Sequence, residues 1–293
     1  MTAAILLEDA PTEPAGRTRR TIGPAGVTGA VVLATVVAIT VAAPVLVGDP
    51  LEQDFLAILQ PPSSAHWFGT DELGRDVLAR VVHGGRSALT ITVVAGLVAS
   101  VTGLLLAILG ALFGGGLDAV GGRLADVQLA VPTIVLAIVI LSFVGNSFVP
   151  LVVVLVLGSW VLTYRVIRGH ARAVVRQPYI EAARVAGAGR GAVAWRHLVP
   201  SVLPLFFVAF TLSASTILLL ESSLGFLGLG IQPPEPDWGA MVAAGQARLS
   251  TAWWLAIFPG LALIATIVAL QLLGDGLAER FGTGRAGTKG AAR

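Results

Sequence analysis

Residues able to do acid–base, nucleophilic or ligand chemistry are few in this 293-residue chain. There are four histidines, His66, His83, His170 and His197, and no cysteine. Disulfide frameworks and thiol chemistry are therefore absent. No Gly-x-x-x-x-Gly-Lys-Ser/Thr loop occurs, and the single lysine is Lys289, so nucleotide phosphates have no cradle of the P-loop kind. No His-Glu-x-x-His pair is present to hold a hydrolytic zinc. Proton and sodium carriers keep carboxylates at mid-membrane depth, where a charge is costly and retained for function. Here Asp126 and Glu221 fall at the ends of apolar runs, and the runs themselves are uncharged. The densest polar stretch is YIEAARVAGAGRGAVAWRHLVP, residues 179–200. It combines Glu181, Arg184, Arg190, Arg196 and His197 with many small side chains. That mixture suits close approach and directional contact with a partner protein, not bond making. The chain is read as a non-enzyme with no cofactor and no metal of its own.

The elements that must position this stretch are membrane helices. The chain is 55% hydrophobic and 12% charged, against roughly 25% charged in soluble domains. About 20 apolar residues cross a bilayer core. Apolar runs lie between Arg20 and Asp49, Arg86 and Asp118, Pro200 and Leu220, and Arg248 and Asp275. A longer run, Val127 to Tyr164, is split by Gly145-Asn146-Ser147 and Pro150. The sequence thus predicts an all-α membrane protein with six spans. Residues 1–20 form a tail, 21–48 the first span and 49–87 an outer segment. Residues 88–280 form a five-helix core that includes the 165–199 loop, and 281–293 form a second tail. The first run is too long for a signal-peptide core and is read as an uncleaved helix. Of 19 Lys plus Arg, only Arg75, Arg80, Arg86 and Arg248 fall outside when the N-terminus is placed inside. By the positive-inside rule both termini are cytoplasmic. Tryptophans 67, 238, 253 and 254 then lie near the outer interface, as an aromatic belt would.

Three polar segments carry further expectations. In 165–200, Pro178 is placed to start a short helix, with Glu181 favourable in its first turn. Ile180, Ala183, Ala186 and Gly187 share a face by spacing, and Gly187 is placed to end the helix. A second short helix from about Gly191 to Leu198 leads to Pro200. In 70–84, Thr70 is expected to cap an amphipathic outer helix with a Leu73, Val77, Val81 stripe. In 221–239, Glu221, Gly225, Gly228 and Gly230 followed by Pro233, Pro234 and Pro236 suggest a re-entrant turn and part of a gate. Irregular backbone at membrane depth must be buried or line a cavity. Glu221 is left two options, an arginine of the outer segment or a cationic solute. In the second span Gly96, Gly103 and Gly110 are spaced by seven and read as a packing face.

Glu181-Ala182-Ala183, Gly187 and the His197-Leu198-Val199-Pro200 close resemble the EAA motif of permease subunits in bacterial ABC importers. His197 and Val199 depart from the general motif. Arg-His-aliphatic-aliphatic-Pro is, however, similar to the dipeptide, oligopeptide and nickel subfamily. HWFGTDELGRDVLARVVHGGRSAL (66–89), RLADVQLAVP (123–132), ESSLGFLGLGIQPPEPDWGAM (221–241) and WWLAIFPGLAL (253–263) resemble other stretches of that subfamily, in order, over roughly residues 25–280. The long outer segment after the first span fits the second-subunit type. The resemblance implies a type I importer permease fold in the bacterial cytoplasmic membrane. It implies a homologous permease partner, two ATP-binding subunits that hold ATP and Mg, an outer binding protein and a peptide-like solute, with no nucleic acid involved. It further implies that the helix of Glu181, Ala182, Ala183 and Gly187, closed by His197 and Pro200, docks on an ATPase. Nickel or another small solute is the alternative cargo. An ion-coupled carrier and a non-transporting membrane scaffold are the alternatives in kind.

Overall fold

The computed structural model describes residues 22–281. The tails expected at 1–20 and 281–293 lie outside the described residues, apart from Phe281. Helices α1 (Pro24–Val41) and α2 (Ala43–Leu46) lead through an outer segment to α3 (Val77–Phe113). α4 (Gly115–Ala130), α5 (Thr133–Val144), α6 (Phe148–Val175) and α7 (Pro178–Val185) follow. α8 (Arg190–Val193) runs through a π-helical turn, Ala194–Leu198, into α9 (Val199–Phe226). α10 (Trp238–Gln246) and α11 (Trp254–Phe281) complete the described chain.

Five helices are long and apolar enough to cross a bilayer unaided: α1, α3, α6, the continuous Arg190–Phe226 helix, and α11. α4 and α5, which meet at 84°, make a sixth span only when the bent pair is counted as one. The 12 residues of α5 rise only about 18 Å, short of a core about 30 Å thick. The straight span expected from Val127 is thus corrected to a bent pair. Pro132 supplies the cause. It has no N–H and disfavours the helical region for its predecessor, and Val131 sits at φ −103, ψ 119.

The bundle core lies where α3, α6 and α9 meet. Trp160, Val161, Tyr164 and Ile167 of α6 pack there against Ala99 and Ala107 of α3 and Val202 and Phe206 of α9. Gly103 sets the closest approach: a Cβ there would stand 2.6 Å from the Trp160 carbonyl and 2.8 Å from the Tyr164 nitrogen. The heptad-spaced glycines of the second span therefore act in packing. α1 is peripheral. Of its residues only Gly26, Gly29 and Thr40 are buried, and Gly26 lies directly against Gly276 of α11. Its exposed valines suit lipid. Hydroxyls along the spans, such as Thr90, Thr102, Ser142 and Thr266, donate to carbonyls one turn back, which satisfies them where water is absent.

The outer segment corrects a second expectation. Thr70 does not cap a helix. It is fully buried, accepts from the Gln60 nitrogen at 2.8 Å and donates to the Ala57 carbonyl. Helix starts only at Val77, capped by Asp76, whose Oδ1 accepts from Ala79 N at 2.9 Å, and it runs unbroken into the second span. Leu73 is exposed while Val77 and Val81 are buried, so the expected stripe is split. Gly74 explains the late start: φ is +72, and a Cβ there would lie 1.8 Å from the Asp54 carbonyl oxygen. Two tryptophans also depart from the belt. Trp238 and Trp254 are buried and donate to the carbonyls of Val81 and Thr70 at 2.8 and 3.1 Å.

Candidate functional site

At the arginine-rich end, Pro178 starts α7 at its first position and Glu181 stands in its first turn. The helix closes as its sequence requires. Gly187 has φ +90, its N–H reaches the Arg184 carbonyl at 3.0 Å, and Ala188 N–H reaches the Ala183 carbonyl at 2.9 Å. This pair of bonds is the Schellman closure, which favours glycine at the left-handed position. The second short helix expected here is not separate, since α8 and the π turn continue into α9. The π turn contains Arg196 and His197, and Val199 N–H bonds the Ala194 carbonyl five residues back. Pro200 has no N–H to offer the Arg196 carbonyl, which favours the wider turn.

The small-residue face divides. Ile180 is fully buried and anchors α7 on the bundle. Ala183 is half-buried, and Glu181, Ala182, Ala186 and Gly187 are exposed. His197 is half-buried, its ring centroid 5.9 Å from that of Tyr179, and Pro200 is exposed. Sequence reasoning missed the apolar part of this surface. Val185 is 86% and Trp195 75% exposed, and Tyr179 is half-exposed. Tyr179 and Val185 lie outside the helices that could cross a bilayer and leave apolar surface uncovered on an arginine-rich segment.

Behind α7, α6 is tied to α4. Arg168 donates through Nε and Nη2 to the two Asp118 oxygens at 2.6 and 2.9 Å, a bidentate fork. Arg172 lies 3.3 Å from Asp118 Oδ2, and Arg165 pairs with Asp126 at 2.7 Å. Asp118 is buried. These pairs were not legible because their partners are 39 to 54 residues apart.

At the opposite end the turn starts later than the sequence suggests. Glu221 and Gly225 are helical, within α9. The turn begins at Gly228, φ +78, with Gly228 N–H on the Gly225 carbonyl at 3.0 Å and Leu229 N–H on Leu224 at 2.8 Å. Asn146 Nδ2 donates to the Gly228 carbonyl at 3.3 Å, and Gln232 Nε2 to that of Gly230 at 3.0 Å. Gly230 packs on Gly225: a Cβ at 230 would stand 2.6 Å from the Gly225 Cα. Asp237 caps α10 through Ala240 N–H at 2.7 Å. The outer-arginine option for Glu221 is not realised: Arg75 and Arg80 turn to Asp71 at 2.7 and 3.5 Å, and Arg248 pairs with Glu72. Glu221 is buried beside Asp237 instead.

This arrangement has known counterparts. The profile of the binding-protein-dependent transport system inner membrane component family matches residues 99–284. The chain belongs to that family. This permease is 35% identical over 257 residues to a probable D,D-dipeptide transport system permease protein of Escherichia coli K12, covering 87% of this chain and 86% of that one. It is 36% identical over 239 residues to a di/tripeptide transport system permease protein of Pseudomonas aeruginosa, covering 79% and 78%. A glutathione transport system permease protein of Pectobacterium atrosepticum is 36% identical over 226 residues, covering 77% and 75%. Among solved structures, the inward-facing MetNI methionine ABC transporter matches with TM-score 0.55 and 20% identity, over 68% of this chain and 94% of that one. The fold is accordingly that of a type I ABC importer permease, in a multi-pass inner membrane protein.

Proposed function

We propose that this permease forms half of the path for short peptides in an ATP-driven importer, paired with a homologous permease. Two ATP-binding subunits would carry ATP and Mg, and an outer binding protein would deliver the solute. One observation carries this reading: α7 and the turn after it expose Tyr179, Glu181, Ala182, Val185 and Ala186, on a segment too charged for lipid. Small residues there admit a partner's backbone, and Ile180 ties the docked helix to the bundle. Closure of the ATPase pair would move α7. α6 and α9 flank α7 in sequence, and they would carry that motion to the outer ends of the spans, a two-state change biased by nucleotide. Glu221, Gly225, Gly228 and Gly230 would belong to the outer gate. The peptide class is supported by the relatives, whose names specify D,D-dipeptide, di/tripeptide and glutathione transport.

Reconstitution with the ATPases and binding protein tests the proposal. Uptake of a labelled dipeptide should require ATP and persist when ion gradients are collapsed. Uptake that follows a proton or sodium gradient without ATP overturns the ATP-driven reading. Uptake of nickel chelates but not peptides overturns the cargo.

Orientation is open to a separate measurement. With both termini cytoplasmic, cysteines replacing Trp67 and Gln232, both exposed, should react with an impermeant maleimide added outside. One replacing exposed Arg190 should react only after permeabilisation. Reaction of position 190 from outside reverses the topology.

A further inference from the structure

Glu221 and Asp237 are acids without a cation. They are 2% and 3% exposed, and neither is in an ion pair with a described residue. Glu221 Oε2 accepts from Ser222 Oγ at 3.2 Å. Asp237 Oδ1 accepts the capping Ala240 N–H at 2.7 Å. Asp237 Oδ2 is buried with no protein donor. The glycines bring the loop hard against this carboxyl: Cβ atoms at Gly225 and Gly230 would stand 2.3 Å from Oδ1 and 2.8 Å from Oδ2.

Gly225, which lies against the Asp237 carboxyl, is one turn along α9 from Glu221, so the helix sets the two buried carboxyl groups side by side. Two carboxylates only accept, so a hydrogen bond between them needs a proton on one of them. Both ionised, they would place two like charges in a buried site with no counter-ion, which is strongly disfavoured. We propose that Glu221 and Asp237 form a proton-binding site, one proton shared between them, that clips the 227–237 loop to the outer end of α9. The proton belongs to the pair and not to either residue. The proposal goes beyond the transport role and does not depend on the solute.

The surroundings agree. A cavity of about 330 Å³ reaches Asp237 and is faced by Asp71, Glu72, Arg75 and Arg80 of the outer segment and α3, and by Glu235 of the loop. α10 and α11 add only apolar residues to its lining. Asp71 pairs with both arginines, and Glu72 and Glu235 add two further negative charges, so the lining does not favour a second carboxylate charge at the pair. Burial pushes Asp237 above the usual carboxylate range, against the pull of backbone N–H groups. An acid raised in the folded state binds more protons folded than unfolded. Its stabilising contribution is complete below the ordinary carboxylate range and is lost as pH rises through the folded value. Loss of the shared proton would set two negative charges face to face and release the loop.

The test uses the full chain, purified with its accompanying subunits in lipid nanodiscs. Infrared difference spectra should show the carbonyl stretch of a protonated buried carboxylic acid at neutral pH. Glu221→Gln supplies a permanent donor to Asp237, and Asp237→Asn keeps the helix cap, since asparagine caps well. Both should abolish that band. Wild-type thermal stability should fall from neutral to alkaline pH, and Glu221→Gln should flatten the fall and exceed wild type at the alkaline end. Absence of the band in wild type, its persistence in both variants, or parallel pH profiles for wild type and Glu221→Gln would overturn the proposal.

Discussion

Val185→Asp is expected to abolish ATP-driven uptake while leaving the permease inserted and folded. Val185 is 86% exposed at the last turn of α7, so its replacement disturbs no internal packing. A charge there would be desolvated on docking with no partner to answer it. Interface anchors are each worth about 2–4 kcal/mol, so association with the ATP-binding subunit should weaken roughly 30- to 700-fold. Co-purification of the ATPase and ATP-dependent uptake are the two readouts. Normal co-purification would sink the docking reading of α7. Gly187→Asp is a poorer probe. Gly187 has φ +90, where an ordinary L residue costs about 1–2 kcal/mol, so the turn itself would be strained. Gly187→Asn tolerates that conformation better and should retain most activity.

Arg168→Ala should produce the largest loss of stability. It removes both bonds of the fork to Asp118, whose side chain is only 9% exposed. Breaking such a pair from one side leaves a buried charge and costs on the order of 3 kcal/mol. Arg172, 3.3 Å away, retains part of the interaction. α4 should then loosen from α6, and uptake should fall with it, because α6 runs directly into α7. The double variant Asp118→Leu, Arg168→Leu should recover much of the stability, since an apolar pair leaves no charge unanswered. Thermal unfolding of the purified permease measures both. Equal unfolding temperatures for Arg168→Ala and wild type would show that the fork does not hold α4.

The sequence by itself determined the all-α membrane class and the short helix from Pro178 with its closing glycine. These follow from local rules: apolar run length, arginine placement, proline at a helix start and glycine at its end. Each acts within a few residues, so each is legible without neighbours. The break at Pro132 was missed, because the apolar run continues through it and the reading followed run length. Only the tertiary structure decided which faces are covered. Ile180 and Val185 lie five residues apart in one short helix, yet one is fully buried and the other almost bare, because the bundle stands on one side only. Trp238 and Trp254 read as lipid-facing until α3 and the outer segment offered carbonyls to their N–H groups. The carboxyl pair depends most on tertiary contact. Glu221 had two plausible partners in sequence, and the turn at Gly228 brought it a third, Asp237, sixteen residues on. Contacts between distant segments set burial, and burial determines whether an acid meets a cation, a solute or a proton.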